Sequence, residues 1–262
     1  MIGNEDITSQ QAKIDEKSPL LMMDQDPQTA ANNIIQLANA TPFGVGGRRA
    51  CYVHPDDASK CIKVLRQDAQ RTVRIQKKGN LFPRSWRREY DNNAHEEKLL
   101  SRIHAQIGSK MASHLPMCYG FVSTDLGKGL VLDLIRDHDG KISRSLREWI
   151  TLGIDLESIK PAFMDLGNFL IEHSILTRHI LDHNLALSLG RSGGRTFYLI
   201  DGIGDAAWLP LAQWFRPLGR LKIKRKLDAA WPRFKAFAIN GGVTDQLKEN
   251  SSWGQGILQH RD

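Results

Sequence analysis

The sequence predicts an α+β fold in two lobes, a small sheet with one helix followed by a mainly helical half. Three patterns carry that prediction: short strand-like runs separated by turn residues before residue 137, apolar residues at helical spacing around residue 100 and again after residue 145, and an isolated hairpin at residues 185–200.

Residues 1–32 are rich in Gln, Asn, Asp and Ser without periodicity, and read as a flexible extension. A domain of residues 33–245 follows, with its lobes meeting near residue 136, and residues 246–262 form a C-terminal tail. "TPFGVGGRRACYV" runs from a Gly-rich loop into a strand, and "HPDDAS" turns it into a second strand, "KCIKVL". Leu99, Leu100, Ile103 and Ile107 then repeat at helical spacing. "GFVSTDLGKGLVLDLI" gives two more strands about a turn, and "SLREWI" opens the helical half.

In that half, Phe163, Leu166, Leu170 and His173 form one stripe, with Pro161 expected at the helix start. "LALSL" and "TFYLI" flank "GRSGGR", and pairing them about Ser192-Gly193 sets Asn184 directly opposite Asp201. Two oxygen-bearing side chains at one hairpin mouth can share a cation, although both residue types also commonly border turns. Residues 216–238 read as an amphipathic helix with Leu227, Phe234 and Ala238 inward, Lys222, Lys224, Arg225 and Lys226 in water, and Pro232 as a point of kinking.

The chain carries 36 Lys and Arg against 29 Asp and Glu, a net charge of +7. Residues 1–33 hold six acids and two lysines, so the remainder is the more basic part. Basic stretches at residues 60–90 and 216–235 could meet phosphate. No zinc-finger spacing, RNP-like motif or aromatic-interleaved stripe accompanies them, so nucleic acid is not an expected partner, whereas peripheral contact with an anionic membrane stays open. Three cysteines without CxxC spacing fit reduced thiols in a cytoplasmic protein. No apolar run reaches the ~18 residues of a membrane span.

The order Gly-rich loop, strand Lys, helix Glu, then Asn and Asp at a hairpin mouth resembles the protein-kinase-like fold. "GVGGRRACYVHPDDASKCIKV", "HDGKIS", "IDGIGD" and "PLAQW" resemble the YrbL family of PhoP regulatory network proteins. The resemblance implies ATP and Mg²⁺ as ligands. It places Gly44, Gly46 and Gly47 over the phosphates, Lys63 on the α- and β-phosphates with Glu89 as its helix partner, and Asn184 and Asp201 on the metal. Glu96 and Glu97 lie on the same predicted helix and keep the acid's assignment open.

Two departures stand out. Arg49 takes the place of the third loop glycine, and His179 stands where an active kinase carries its catalytic Asp, making His179 the candidate base. His179 and His183 at i, i+4 find no further Cys or HExxH pattern for zinc. No peptide-docking segment follows Asp201. The expectation is therefore a phosphotransferase acting on a small molecule or glycolipid in bacterial envelope regulation. A pseudokinase that binds nucleotide or protein without transfer is the alternative, and a basic membrane adaptor a third reading.

Overall fold

The computed structural model describes residues 34–67, 91–178, 180–204, 216–240 and 257–262; the expected extension of residues 1–32 lies outside them. Five antiparallel strands form the first sheet: β1 (Gly44–Val45), β2 (Arg49–His54), β3 (Asp57–Leu65), β4 (Cys118–Thr124) and β5 (Gly127–Asp133), in the order β1-β2-β3-β5-β4. Alternation along β3 decides what each face carries. Ile62 and Val64 pack outward under Leu37 and Tyr52, while Cys61 and Lys63 face the helix and the second lobe. The outer layer is fastened by Asp125, whose carboxylate accepts from the Leu37 and Ala38 amides at 2.7 and 3.0 Å. Gly129 permits close strand contact, since a Cβ there would lie 2.4 Å from Ile62.

Helix α1 (Asn92–Ile107) starts at Asp91, whose side chain caps the Ala94 amide at 2.8 Å. Its Leu100 and Ile103 enter the main core. The second lobe contains α2 (Leu146–Thr151), α3 (Leu156–Glu172), the two-stranded sheet β6 (Leu185–Leu189) with β7 (Arg195–Leu199), and α4 (Arg216–Ile239). Phe163, Leu166 and Leu170 of α3 are buried as expected, and Ile223, Leu227, Ala230 and Phe234 give α4 its inward stripe. Ala238 is half-buried; Lys224 and Arg225 are exposed as expected, whereas Lys222 and Lys226 are half-buried, Lys226 because its ammonium donates to the Thr177 carbonyl. Phe163 lies edge-on to Phe197 and Phe234 at 6.2 and 5.8 Å.

Two expectations need correction. Pro161 lies in the second turn of α3, because Asp155 caps the Glu157 amide at 3.0 Å and starts the helix earlier. The β6–β7 register is one residue off the expected pairing, with Leu185 opposite Leu199 and Ser188 opposite Thr196. A five-residue loop is the cause. It is closed by the Gly190 amide donating to the Gly194 carbonyl at 2.7 Å, and centres the hairpin on Ser192 instead of between Ser192 and Gly193.

Residues 257–262, placed by sequence in the tail, pack against both lobes. The Gln259 amide donates to the Phe43 carbonyl at 2.9 Å, the Ile142 amide to the Arg261 carbonyl at 2.8 Å, and Arg261 pairs with Asp137. Leu258 packs on the main core.

Candidate functional site

A cavity of about 360 Å³ lies between the lobes. Gly44, Gly46 and Gly47 line it from the β1–β2 side, Lys63 from β3, and Asn184 and Asp201 from the opposite lobe. Its apolar wall includes Leu132, Leu134, Ala186 and Leu258. Six of the eight residues expected at the site thus border one cleft. The other two, Glu89 and His179, lie outside the described residues.

The carboxylate that meets Lys63 is Glu96, with Nζ donating to Oε1 at 2.8 Å and to the Ile200 carbonyl at 2.9 Å. Glu96 is buried one turn into α1, on the stripe that continues through Leu100 and Ile103. Asn93, three residues earlier, donates to the Lys63 carbonyl at 2.7 Å and fixes the helix at this point of β3. Burial alone would pull the Lys63 ammonium down. Glu96, with help from Asp201, outweighs it and holds the group above its ordinary value.

Arg49 joins this pair from the start of β2. Its guanidinium donates to the second Glu96 oxygen and, at 2.6 Å, to Asp201 Oδ2. Although burial works against the charge, Asp201 and Glu96 keep the guanidinium firmly protonated. The other Asp201 oxygen, Oδ1, accepts the Gly202 amide at 2.6 Å. Gly202 has φ +84, the left-handed conformation that lets this turn close on its own carboxylate.

The corrected register alters the expected metal pair. The Ile200 amide donates to the Asn184 carbonyl at 2.9 Å, so Ile200 stands opposite Asn184 and Asp201 lies one residue beyond. The Asn184 amide and Asp201 carboxylate have the oxygen chemistry of a Mg²⁺ site. Arg49 already neutralises Asp201 Oδ2, however, and this arrangement does not fit a divalent ion at that carboxylate. Among the described residues no group of three His, Cys, Asp or Glu side chains offers another metal centre.

The loop glycines have a different logic. None has positive φ, and a Cβ on Gly44 or Gly46 would meet its neighbours at 4.0 or 3.6 Å, ordinary contact distances. Neither conformation nor internal packing demands glycine at those two positions; what they supply is bare backbone along the cleft. The thiols in the wall are poor nucleophiles, because burial pushes Cys51 up and Cys61 up to about 12.

A sheet lysine held by a helix carboxylate, beneath a Gly-rich loop and across from an Asn and an Asp, is the arrangement expected from the order of these residues in the sequence, with Glu96 as the acid. The model of the family described as PhoP regulatory network protein YrbL matches residues 35–234, and the chain belongs to that family. It is 29% identical over 206 residues to the uncharacterized protein YrbL of Escherichia coli (strain K12), covering 78% of this chain and 87% of that one, and equally to YrbL of Shigella flexneri. It is also similar to a crystal structure of Rad53 1-466 in complex with AMP-PNP, with a TM-score of 0.44 and 8% identity. That match covers 79% of this chain and 52% of the Rad53 chain, about half its length.

Proposed function

We propose that the cleft binds ATP, with its phosphates beneath the Gly44–Gly47 loop and beside Lys63, and its base against the apolar wall near Leu132 and Leu134. The buried Lys63–Glu96 pair, opening onto a cleft capped by bare backbone, carries this reading. A lysine fixed by a carboxylate and a carbonyl presents its remaining charge to an anion without losing side-chain entropy at the moment of binding. In the PhoP regulatory network, the activity such a cleft would serve is phosphoryl transfer to a small molecule or glycolipid during envelope regulation. Free Cys51, Cys61 and Cys118 support a cytoplasmic setting, and no helix among the described residues is long and apolar enough to cross a membrane.

The Arg49–Asp201 pair favours a second reading, a pseudokinase that uses nucleotide to set its conformation. Calorimetric titration with ATP tests the shared premise. Lys63→Met should weaken binding at least ~10-fold, since a charge-assisted hydrogen bond contributes about 1.5–3 kcal/mol. Unchanged affinity would rule out this site. ATP turnover by the parent protein then separates transfer from binding alone.

A further inference from the structure

Four charges meet at the inner end of the cleft: Arg49 and Lys63 against Glu96 and Asp201. They balance without any added ion. Arg49 is buried, and its guanidinium spans from α1 to the turn after β7. It also reaches the Asn93 side-chain oxygen at 3.4 Å. At the third position of the Gly-rich pattern, a side chain has replaced bare backbone and reached the carboxylate that a metal would have to meet.

We infer that Arg49 is the protein's own cation at Asp201, standing where a divalent ion would bind that carboxylate. A divalent ion arriving there would meet a fixed positive charge bonded at 2.6 Å to the carboxylate oxygen it needs, and at so short a range repulsion is strong even though Asp201 is partly exposed. Carried to the proposed ATP site, and resting on that reading, the consequence is a nucleotide held by Arg49 and Lys63 without a divalent metal. Arginine suits this role because its charge is permanent and its planar fork can bond two acids and still face the cleft.

The test needs no nucleotide in its first arm. Mn²⁺ is titrated into the full chain while broadening of the Asn184 and Gly202 amide NMR signals is followed. The parent protein should show little broadening. Arg49→Gly, which restores the glycine pattern, should show at least ~10-fold more, and adding Asp201→Asn should remove the gain. Arg49→Gln repeats the comparison with a side chain that preserves packing if the glycine variant folds poorly. Asp201-dependent broadening in the parent would overturn the inference, as would folded variants that remain as inert as the parent.

The second arm compares ATP affinity in EDTA with that in Mg²⁺ by calorimetry. The parent should differ by less than ~3-fold, and Arg49→Gly should require Mg²⁺ by at least ~10-fold. A parent that binds only with Mg²⁺ would overturn the metal-free claim. A parent that binds ATP under neither condition would defeat the ATP reading, while the Mn²⁺ arm still decides the place of Arg49.

Discussion

The cleft cluster and the Arg147–Asp182 pair are both buried ion pairs, yet they are built for different ends. Arg147 grips Asp182 with two parallel bonds of 2.8 Å, at side-chain exposures of 15% and 10%, and its guanidinium packs 5.6 Å from the Phe237 ring. It joins α2 to the short 3₁₀ turn Asp182–Asn184 and thereby sets the backbone on which Asn184 stands. In the cleft, one acid serves two cations, and Asp201 keeps 40% of its side chain exposed. A closed pair fixes geometry; the open cluster keeps its charged groups bordering the cleft.

Glu96→Ala should break the contrast most severely. It takes a shared carboxylate from Arg49 and Lys63 and leaves two buried cations poorly compensated, at a cost of about 3–5 kcal/mol. Urea unfolding should show the loss of stability, and calorimetry on the folded fraction a loss of ATP binding. Stability lost with affinity retained would mean that the cluster is structural, like its counterpart.

Asp182→Asn should cost about 3 kcal/mol in stability while leaving the nucleotide affinity of the folded protein nearly unchanged. Its pH dependence sharpens the comparison. Burial tends to raise the Asp182 carboxyl, but His183 and Arg147 outweigh burial and hold it well below the usual range. A depressed carboxylate contributes fully above its unfolded value of about 3.9 and loses that contribution as pH falls toward its folded value. The stability gap between parent and Asp182→Asn should therefore be flat above about pH 5 and narrow only in stronger acid, as followed by unfolding at each pH.

Leu258→Ala tests the seam beside the cleft. A half-buried leucine should contribute about 1 kcal/mol, so a small fall in melting temperature should accompany weaker ATP binding. Lys224→Ala, on the exposed face of α4, should change stability by less than about 0.5 kcal/mol and leave nucleotide affinity intact. A larger effect would mean that the basic helix takes part in the cleft's chemistry.

Lys63 was legible in sequence because one ammonium stood among Cys61, Ile62, Val64 and Leu65, where burial demands a partner. The partner was less legible, since several acids share that stretch. The decisive signal was the spacing of Glu96 with Leu100, Ile103 and Ile107, which puts a carboxylate on the apolar stripe facing the sheet. Arg49 stood out as a missing glycine, but its reach to Asp201 depends on how the lobes come together, which no local pattern states. The hairpin was legible and its register was not: Gly190 and Gly194 close a wider loop than a two-residue turn, and one residue of difference moves every cross-strand partner.

The seam made by residues 257–262 also has a history in time. Ile142 and Arg261 bond across 119 positions of sequence. At about 5–20 residues per second of synthesis, this strap would emerge about 6–24 s after the segment it closes. By the end of that interval the newborn chain would carry its sheet, first helices and β6–β7 with the Phe43 and Ile142 carbonyls not yet met by Gln259 and Arg261. A nascent chain that stops short of residue 258 would thus present the cleft's apolar wall to chaperones without Leu258 to cover it.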